Sequence, residues 1–309
     1  MTVLAQHLDE YLQLRRALGH KLADAHRVLP WFVAYLDERD IEFVTIETAL
    51  AWSLERTVPD GSRVPAQRMM AVRGFARYLS GIDSRTEVPP AGTIRHPKRW
   101  RRPFIYTDTD VLALIEQADR LIAQPLRSAT YQTLIGLLAT TGLRIGEALR
   151  LDRTDLDRVE GMLRIRESKF GKSRLVPLQA STIDALERYD HTRQRLYPDP
   201  STDSLLVSLH GTRVIYECVW PVHRKLCEHA KVGSDSATRP RIHDHRHTFA
   251  VKTLLGWYHE GVDVPSRISW LSTYLGHREP RYTYHYLSAA PDLLAHAARL
   301  LDDAQQVRS

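Results

Sequence analysis

Cysteine is nearly absent from this 309-residue chain: only Cys218 and Cys227 occur, and neither belongs to a C-x-x-C pair. Neither a disulfide framework nor a cysteine zinc site is therefore expected, and a reducing cytoplasm suits the composition. Long apolar runs are missing too. No stretch approaches the roughly 18 apolar residues of a membrane span, and Met1 to Glu10 carries Asp9 and Glu10 where a secretory leader would run from basic into apolar residues. Neither membrane insertion nor secretion is expected. The chain has no P-loop pattern G-x-x-x-x-G-K-[ST], no H-E-x-x-H, and no carboxylate cluster suited to a two-metal nuclease. No cofactor and no metal are expected. Internal repeats and low-complexity tracts are also lacking. Charge leans basic without an extreme: 43 Lys+Arg stand against 37 Asp+Glu, a net +6. That balance permits a polyphosphate partner but does not mark a disordered nucleic-acid tail.

What is present divides the chain. From Val3 to Ile82 apolar residues recur at three-to-four spacing (Leu4, Leu8, Tyr11, Leu12; then Val28, Leu29, Phe32, Val33, Leu36), which predicts four or five short helices over residues 1–85. Thr45 and Thr48 are read as start signals for a helix through Leu54, and Gly81 as the stop of a last helix ending near Leu79. Residues 86–103 lose that rhythm and collect Pro89, Pro90, Gly92, Pro97 and Pro103, a linker composition. Arg95, Lys98, Arg99, Arg101 and Arg102 crowd the same stretch beside Trp100. They suit a phosphate backbone, or simply a solvated hinge.

Residues 104–290 read as a second, α+β domain, so the expected class is mainly α with a small β-sheet. Thr107 to Asp119 and Ala129 to Thr140 are predicted helices; the period then changes to two in Met162–Arg166 and Arg174–Leu178, a hairpin whose tip, Ser168 to Ser173, is basic. Helical segments follow near Ser181, over Val214–Ala230, Thr248–Glu260 and Ser266–Tyr274. Residues 291–309 hold a last helix, Asp292 to Gln306, with Leu293, Leu294, Ala297, Leu300 and Leu301 on one side. It docks either on a neighbouring protomer or within its own chain.

Five fragments, uninformative singly, stand in a fixed order. Thr141-Gly142-Leu143-Arg144-Ile145-Gly146-Glu147 breaks a helix at Gly142 and sets Arg144 at the restart. Lys169, with Lys172 as its competitor, stands at the hairpin tip. His243-Asp244-His245-Arg246-His247 leads into an apolar helix. Its alternating histidines invite a metal reading, but alternate residues of a helix do not share a face, whereas His243 and Arg246, three apart, can aim at one point. Leu275-Gly276-His277 comes next, and Tyr286 stands nine residues after His277, with Tyr282 and Tyr284 as rival tyrosines.

In that combination the chain resembles the tyrosine recombinase, or phage integrase, family over about Thr107 to Leu301. The runs Leu271 to His277 and Tyr284 to Ala289 look most like integrases of mobile elements. The resemblance implies that residues 1–85 form a core-binding domain on DNA and residues 104–290 a catalytic domain, with Arg144, Lys169, His243, Arg246, His277 and Tyr286 catalytic and Glu147 supporting them. One departure is His245, where the family usually carries an aliphatic or aromatic residue.

The chemistry fits these residue types. Two guanidiniums can stabilise the extra charge on an attacked phosphodiester without a metal. A phenol, with an unperturbed pKa of about 10, needs a base, for which His243 is placed. The departing 5′ oxygen needs an acid, for which Lys169 is placed, and His277 would donate to a phosphate oxygen. A phosphotyrosine ester conserves the broken bond's energy, so rejoining needs no ATP. The resemblance further implies double-stranded DNA as partner, four protomers on paired sites, room for partner recombinases, and nucleoid association while DNA is bound. Two other readings remain at this stage: DNA relaxation of the type IB topoisomerase kind, and a non-catalytic DNA-binding accessory subunit.

Overall fold

The computed structural model describes residues 2–20, 22–55, 62–95, 101–166, 173–198, 201–277, 279 and 281–287. The chain separates into two compact units, Met1–Trp100 and Arg101–Ser309.

Among the described residues the elements of the first unit are all helices: α1 (Val3–Ala17), α2 (Ala23–Asp37), α3 (Ile46–Leu54) and α4 (Val64–Leu79). The three-to-four spacing becomes its core, since Leu4, Leu8, Tyr11 and Leu12 of α1 are buried with Leu29, Phe32, Val33 and Leu36 of α2. Phe32 and Phe75 are fully covered, and truncating either to alanine costs about 3–5 kcal/mol. Thr45 caps α3, its hydroxyl accepting from the Thr48 N–H at 3.1 Å. α4 ends at Leu79, as the sequence reading has it: Ser80 is the cap, in right-handed conformation, its N–H bonds the Ala76 carbonyl, and Gly81 follows. The start of the proline-rich stretch is fastened to this unit. The Glu87 N–H reaches the Val44 carbonyl at 2.8 Å, the Glu87 carboxylate accepts from the Ile46 N–H at 2.8 Å, and Arg73 Nε donates to the Pro89 carbonyl at 2.9 Å.

The second unit holds α5 (Asp108–Leu121), α6 (Pro125–Thr141), α7 (Ile145–Arg150), strands β1 (Leu156–Asp157), β2 (Met162–Ile165) and β3 (Arg174–Pro177), then α8 (Ala180–Leu196), α9 (Tyr216–His229), α10 (Asp244–His259), α11 (Val264–Leu275) and α12 (Arg281–Leu287). The strands form an antiparallel sheet in the order β1-β2-β3, with Leu163 opposite Val176 and both buried. The hairpin follows the period-two reading. β1 was not foreseen, because two residues are too short to show alternation. Residues 167–172, between the two strands, and the helix expected over Asp292 to Gln306 lie outside the described residues.

Two details place the site. α6 stops at Gly142, whose φ of +60° is left-handed and whose missing Cβ leaves room for Phe249; a Cβ would sit 2.6 Å from Phe249 Cδ1. α10 begins four residues before the expected Thr248, because buried Asp244 accepts from the Arg241 guanidinium at 2.7 and 3.1 Å and from the Arg241 N–H at 3.0 Å. An acid in a helix's first turn also suits the positive end of the helix dipole. Among the described residues no helix is long and apolar enough to cross a membrane.

Candidate active site

Three corners of the second unit converge: the α6–α7 junction, the start of α10, and the end of α11. Arg144 precedes α7, and Glu147 reaches back to it, accepting from the Arg144 N–H at 3.0 Å and from Arg144 Nη1 at 2.7 Å. The other side of the Glu147 carboxylate is held by Arg174 of β3, at 2.8 and 3.2 Å. Burial alone would push this carboxyl up, but the hydrogen bonds and charge of Arg174, joined by Arg144, hold it down at about 2. Glu147 is thus an anion between two cations.

The end of α11 is covered by three guanidiniums. Arg174 Nε donates to the Tyr274 carbonyl at 2.7 Å, Arg246 Nη2 to the Leu275 carbonyl at 2.5 Å, and Arg144 Nη2 to the Gly276 carbonyl at 3.2 Å. Successive carbonyls at a helix C-terminus lack helical partners and carry its negative dipole end, so cations gather there. Arg246 also donates to the Gly142 carbonyl at 3.0 Å, where α6 ends. It is buried, and that desolvation together with neighbouring Arg144 lowers its pKa to about 10, still well above neutral pH.

The aromatic groups lie against this frame. His243 is the residue preceding α10, and His247 follows one turn later on the same face, their rings 5.0 Å apart at right angles. Tyr286 of α12 meets the His247 ring at 5.3 Å and the His277 ring at 5.9 Å. His277 pairs with the Thr283 hydroxyl at 2.8 Å. Desolvation by surrounding protein, then His247 and Arg246, holds His243 down at about 4, although the residue as a whole is exposed. Desolvation, then Arg246 and Arg144, holds His277 at about 3. Both imidazoles are neutral near pH 7. Tyr286 is 4% exposed, whereas Tyr284 is 49% exposed.

The structure therefore brings together Arg144, Glu147, His243, Arg246, His277 and Tyr286. Lys169 and its competitor Lys172 lie outside the described residues, as do Lys98 and Arg99, while Arg95, Arg101 and Arg102 are exposed. The side chain of Tyr282 is likewise not among those described. Sequence reasoning missed Arg174 and the contact of His247 with the tyrosine. It also left the packing at His245 open: that ring stacks on Tyr106 at 4.1 Å and 1° and meets His223 edge-on at 5.6 Å. His245 serves as the flat aromatic that the position calls for. Among the described residues no group of three or more histidines, cysteines and acids could hold a metal.

Residues 107–292 match the phage integrase family. That is more than half of the chain. The chain belongs to the phage integrase family of tyrosine recombinases. It is accordingly an enzyme, a site-specific recombinase that acts as a DNA strand transferase. It is 38% identical over 311 residues to y4rB of Sinorhizobium fredii (strain NBRC 101917 / NGR234), named among integrases/recombinases, with 98% of each chain covered. It is 32% identical over 289 residues to the tyrosine recombinase XerD of Mycobacterium tuberculosis (strain ATCC 25618 / H37Rv), covering 85% of this chain and 88% of that one. Among solved structures, the Tn1549 transposon integrase in complex with transposon right end DNA aligns over 96% of this chain and 98% of its own, with a TM-score of 0.63 at 15% identity. The shared fold is the content of that last match.

Proposed function

We propose that this recombinase cuts and rejoins double-stranded DNA through a 3′-phosphotyrosine formed by Tyr286, in the service of integrating, excising or transposing a mobile element. The observation that carries the reading is that Tyr286 lies against the rings of His247 and His277, with His243 against His247 and with Arg246 and Arg144 on the Leu275 and Gly276 carbonyls that lead into His277. The guanidiniums of Arg144 and Arg246 bind the non-bridging oxygens of the scissile phosphate and stabilise the charge that attack adds. The Tyr286 oxygen bonds to phosphorus while its proton passes to neutral His243, and the P–O5′ bond breaks as Lys169 protonates the leaving oxygen. His277 donates to a phosphate oxygen, and Glu147 orients Arg144. Rejoining reverses these steps with the 5′ hydroxyl of a second strand, so neither metal nor ATP enters.

The basic run of Arg95, Lys98, Arg99, Arg101 and Arg102 follows the DNA backbone between a core-binding domain, residues 1–85, and a catalytic domain, residues 104–290. Four protomers assemble on two sites, with the 291–309 segment docking between neighbours; partner recombinases are compatible with that arrangement. The DNA named in the transposon integrase complex supports DNA as the partner and a mobile element as the context, and action on the nucleoid in the cytoplasm accords with both. The test is strand exchange between two labelled duplexes tiled from the DNA flanking the gene, in EDTA and without nucleotide. Recombinant duplexes are expected. Relaxation of supercoils at unpaired sites without exchange would favour a topoisomerase, and activity restored only by magnesium would end the metal-free scheme.

A further inference from the structure

Arg174 lies outside the set of residues assigned to the reaction above, yet it joins Glu147 to the end of α11. It sits on β3 with its side chain 11% exposed. Two of its nitrogens face the two oxygens of Glu147, at 3.2 and 2.8 Å, and its Nε donates to the Tyr274 carbonyl at 2.7 Å. Its guanidinium also underlies the turn before His277: Gly276 has a φ of +67°, and a Cβ there would lie 2.8 Å from Arg174 Nη1. A planar guanidinium can hold a carboxylate by two bonds and still donate sideways, which a lysine ammonium cannot do in fixed geometry.

We propose that Arg174 is a positioning residue for strand transfer, a strap that sets Arg144 through Glu147 and sets His277 through the end of α11. Removing it leaves Glu147 with one guanidinium and frees the Tyr274–Gly276 turn from the sheet. Arg144 and His277 then lose their shared reference, although both side chains remain. Held geometry of this kind affects the transition state more than ground-state DNA binding, since the phosphate-contacting groups are all still present but no longer converge. This inference rests on the strand-transfer reading given above.

The experiment compares wild type, Arg174→Lys and Arg174→Gln for thermal melting, for binding of a site duplex by fluorescence anisotropy, and for single-turnover cleavage of a nicked duplex across pH. The expected result is unchanged site affinity with cleavage slowed by about 10-fold in Arg174→Lys and about 100-fold in Arg174→Gln, the range seen for residues that orient reacting groups. The acid limb of the cleavage profile should also move to higher pH in Arg174→Gln, because His277 and Glu147 each lose a neighbouring cation. In an Arg174→Gln, Glu147→Gln double variant the two losses should fail to add. Wild-type cleavage rates in Arg174→Gln would refute the role. So would affinity and cleavage falling in proportion, or both variants unfolding, since either assigns Arg174 to the fold alone. Absence of cleavage by wild type on a duplex it binds would instead remove the strand-transfer reading itself.

Discussion

Arg246 donates to the main-chain carbonyl of Gly142, 104 residues earlier in the chain, at 3.0 Å. That bond ties the T-G-x-R corner to the H-x-x-R helix, and it depends on Gly142 ending α6 in a left-handed conformation against Phe249. Replacing Gly142 by alanine strains the backbone at φ +60° and drives a methyl into the Phe249 ring. The expected cost is about 1–3 kcal/mol of stability, read by chemical denaturation. Cleavage should fall further than the lost folded fraction explains, and a variant with wild-type cleavage would show that the Gly142 corner does not hold Arg246.

Glu147 is nearly fully buried between Arg144 and Arg174. Removing one member of such a buried group leaves charge uncompensated, so Glu147→Gln is expected to cost about 3 kcal/mol or more in urea denaturation. Its cleavage should be slow at every pH. Unchanged stability would mean that water replaces the carboxylate and that the ion pairs hold nothing.

His245 presents two ring nitrogens with no hydrogen-bond partner among the described residues, in a fully buried setting flat against Tyr106. Phenylalanine keeps the stacking and removes the unsatisfied nitrogens. His245→Phe should therefore be neutral or stabilising by about 1 kcal/mol, with cleavage retained. Loss of cleavage at full stability would give His245 a part in the reaction that its place against Tyr106 and His223 does not suggest.

Acid should unfold the second unit early. Burial lowers His223 to about 4, and burial followed by His223 lowers His245 to about 3, both from an ordinary 6.5. Below pH 6.5 the unfolded chain takes up protons that the folded one refuses, so stability is full above that value and falls toward pH 4, by about 1.4 kcal/mol per pH unit for each histidine. Glu147 adds its own loss as pH falls from its ordinary 4.5 toward about 2, because there the unfolded carboxyl binds a proton that the folded one refuses. Urea midpoints measured between pH 7.5 and 4.5 check this, and His245→Phe should flatten the slope. A midpoint independent of pH would contradict the buried neutral state of both rings.

Much of this site was readable in one dimension because its markers are local. Arg144 follows a helix-stopping glycine, His243 and Arg246 share a helical turn, and His277 and Tyr286 keep a fixed spacing. Arg174 was not readable: period two marks a strand, but only the fold shows that its side chain meets Glu147, 27 residues before it, and Tyr274, 100 residues after it. His247 was hidden differently. Its four-residue separation from His243 was present in the sequence, but attention to alternate histidines obscured the pair that shares a face. In the first unit the helices were legible from apolar spacing, while the Ser80 cap of α4 followed from backbone bonding that no residue type announces.

The central claim is that Tyr286, covered at 4% exposure beside His247 and His277, is the nucleophile, and not the half-exposed Tyr284. The most direct measurement is a covalent-adduct assay in EDTA with wild type, Tyr286→Phe and Tyr284→Phe on nicked site duplexes, followed by peptide mapping of the adduct. The expected result is a denaturation-resistant adduct from wild type and Tyr284→Phe, mapped to Tyr286, and none from Tyr286→Phe. An adduct that persists in Tyr286→Phe, or that maps to Tyr284, would contradict the account.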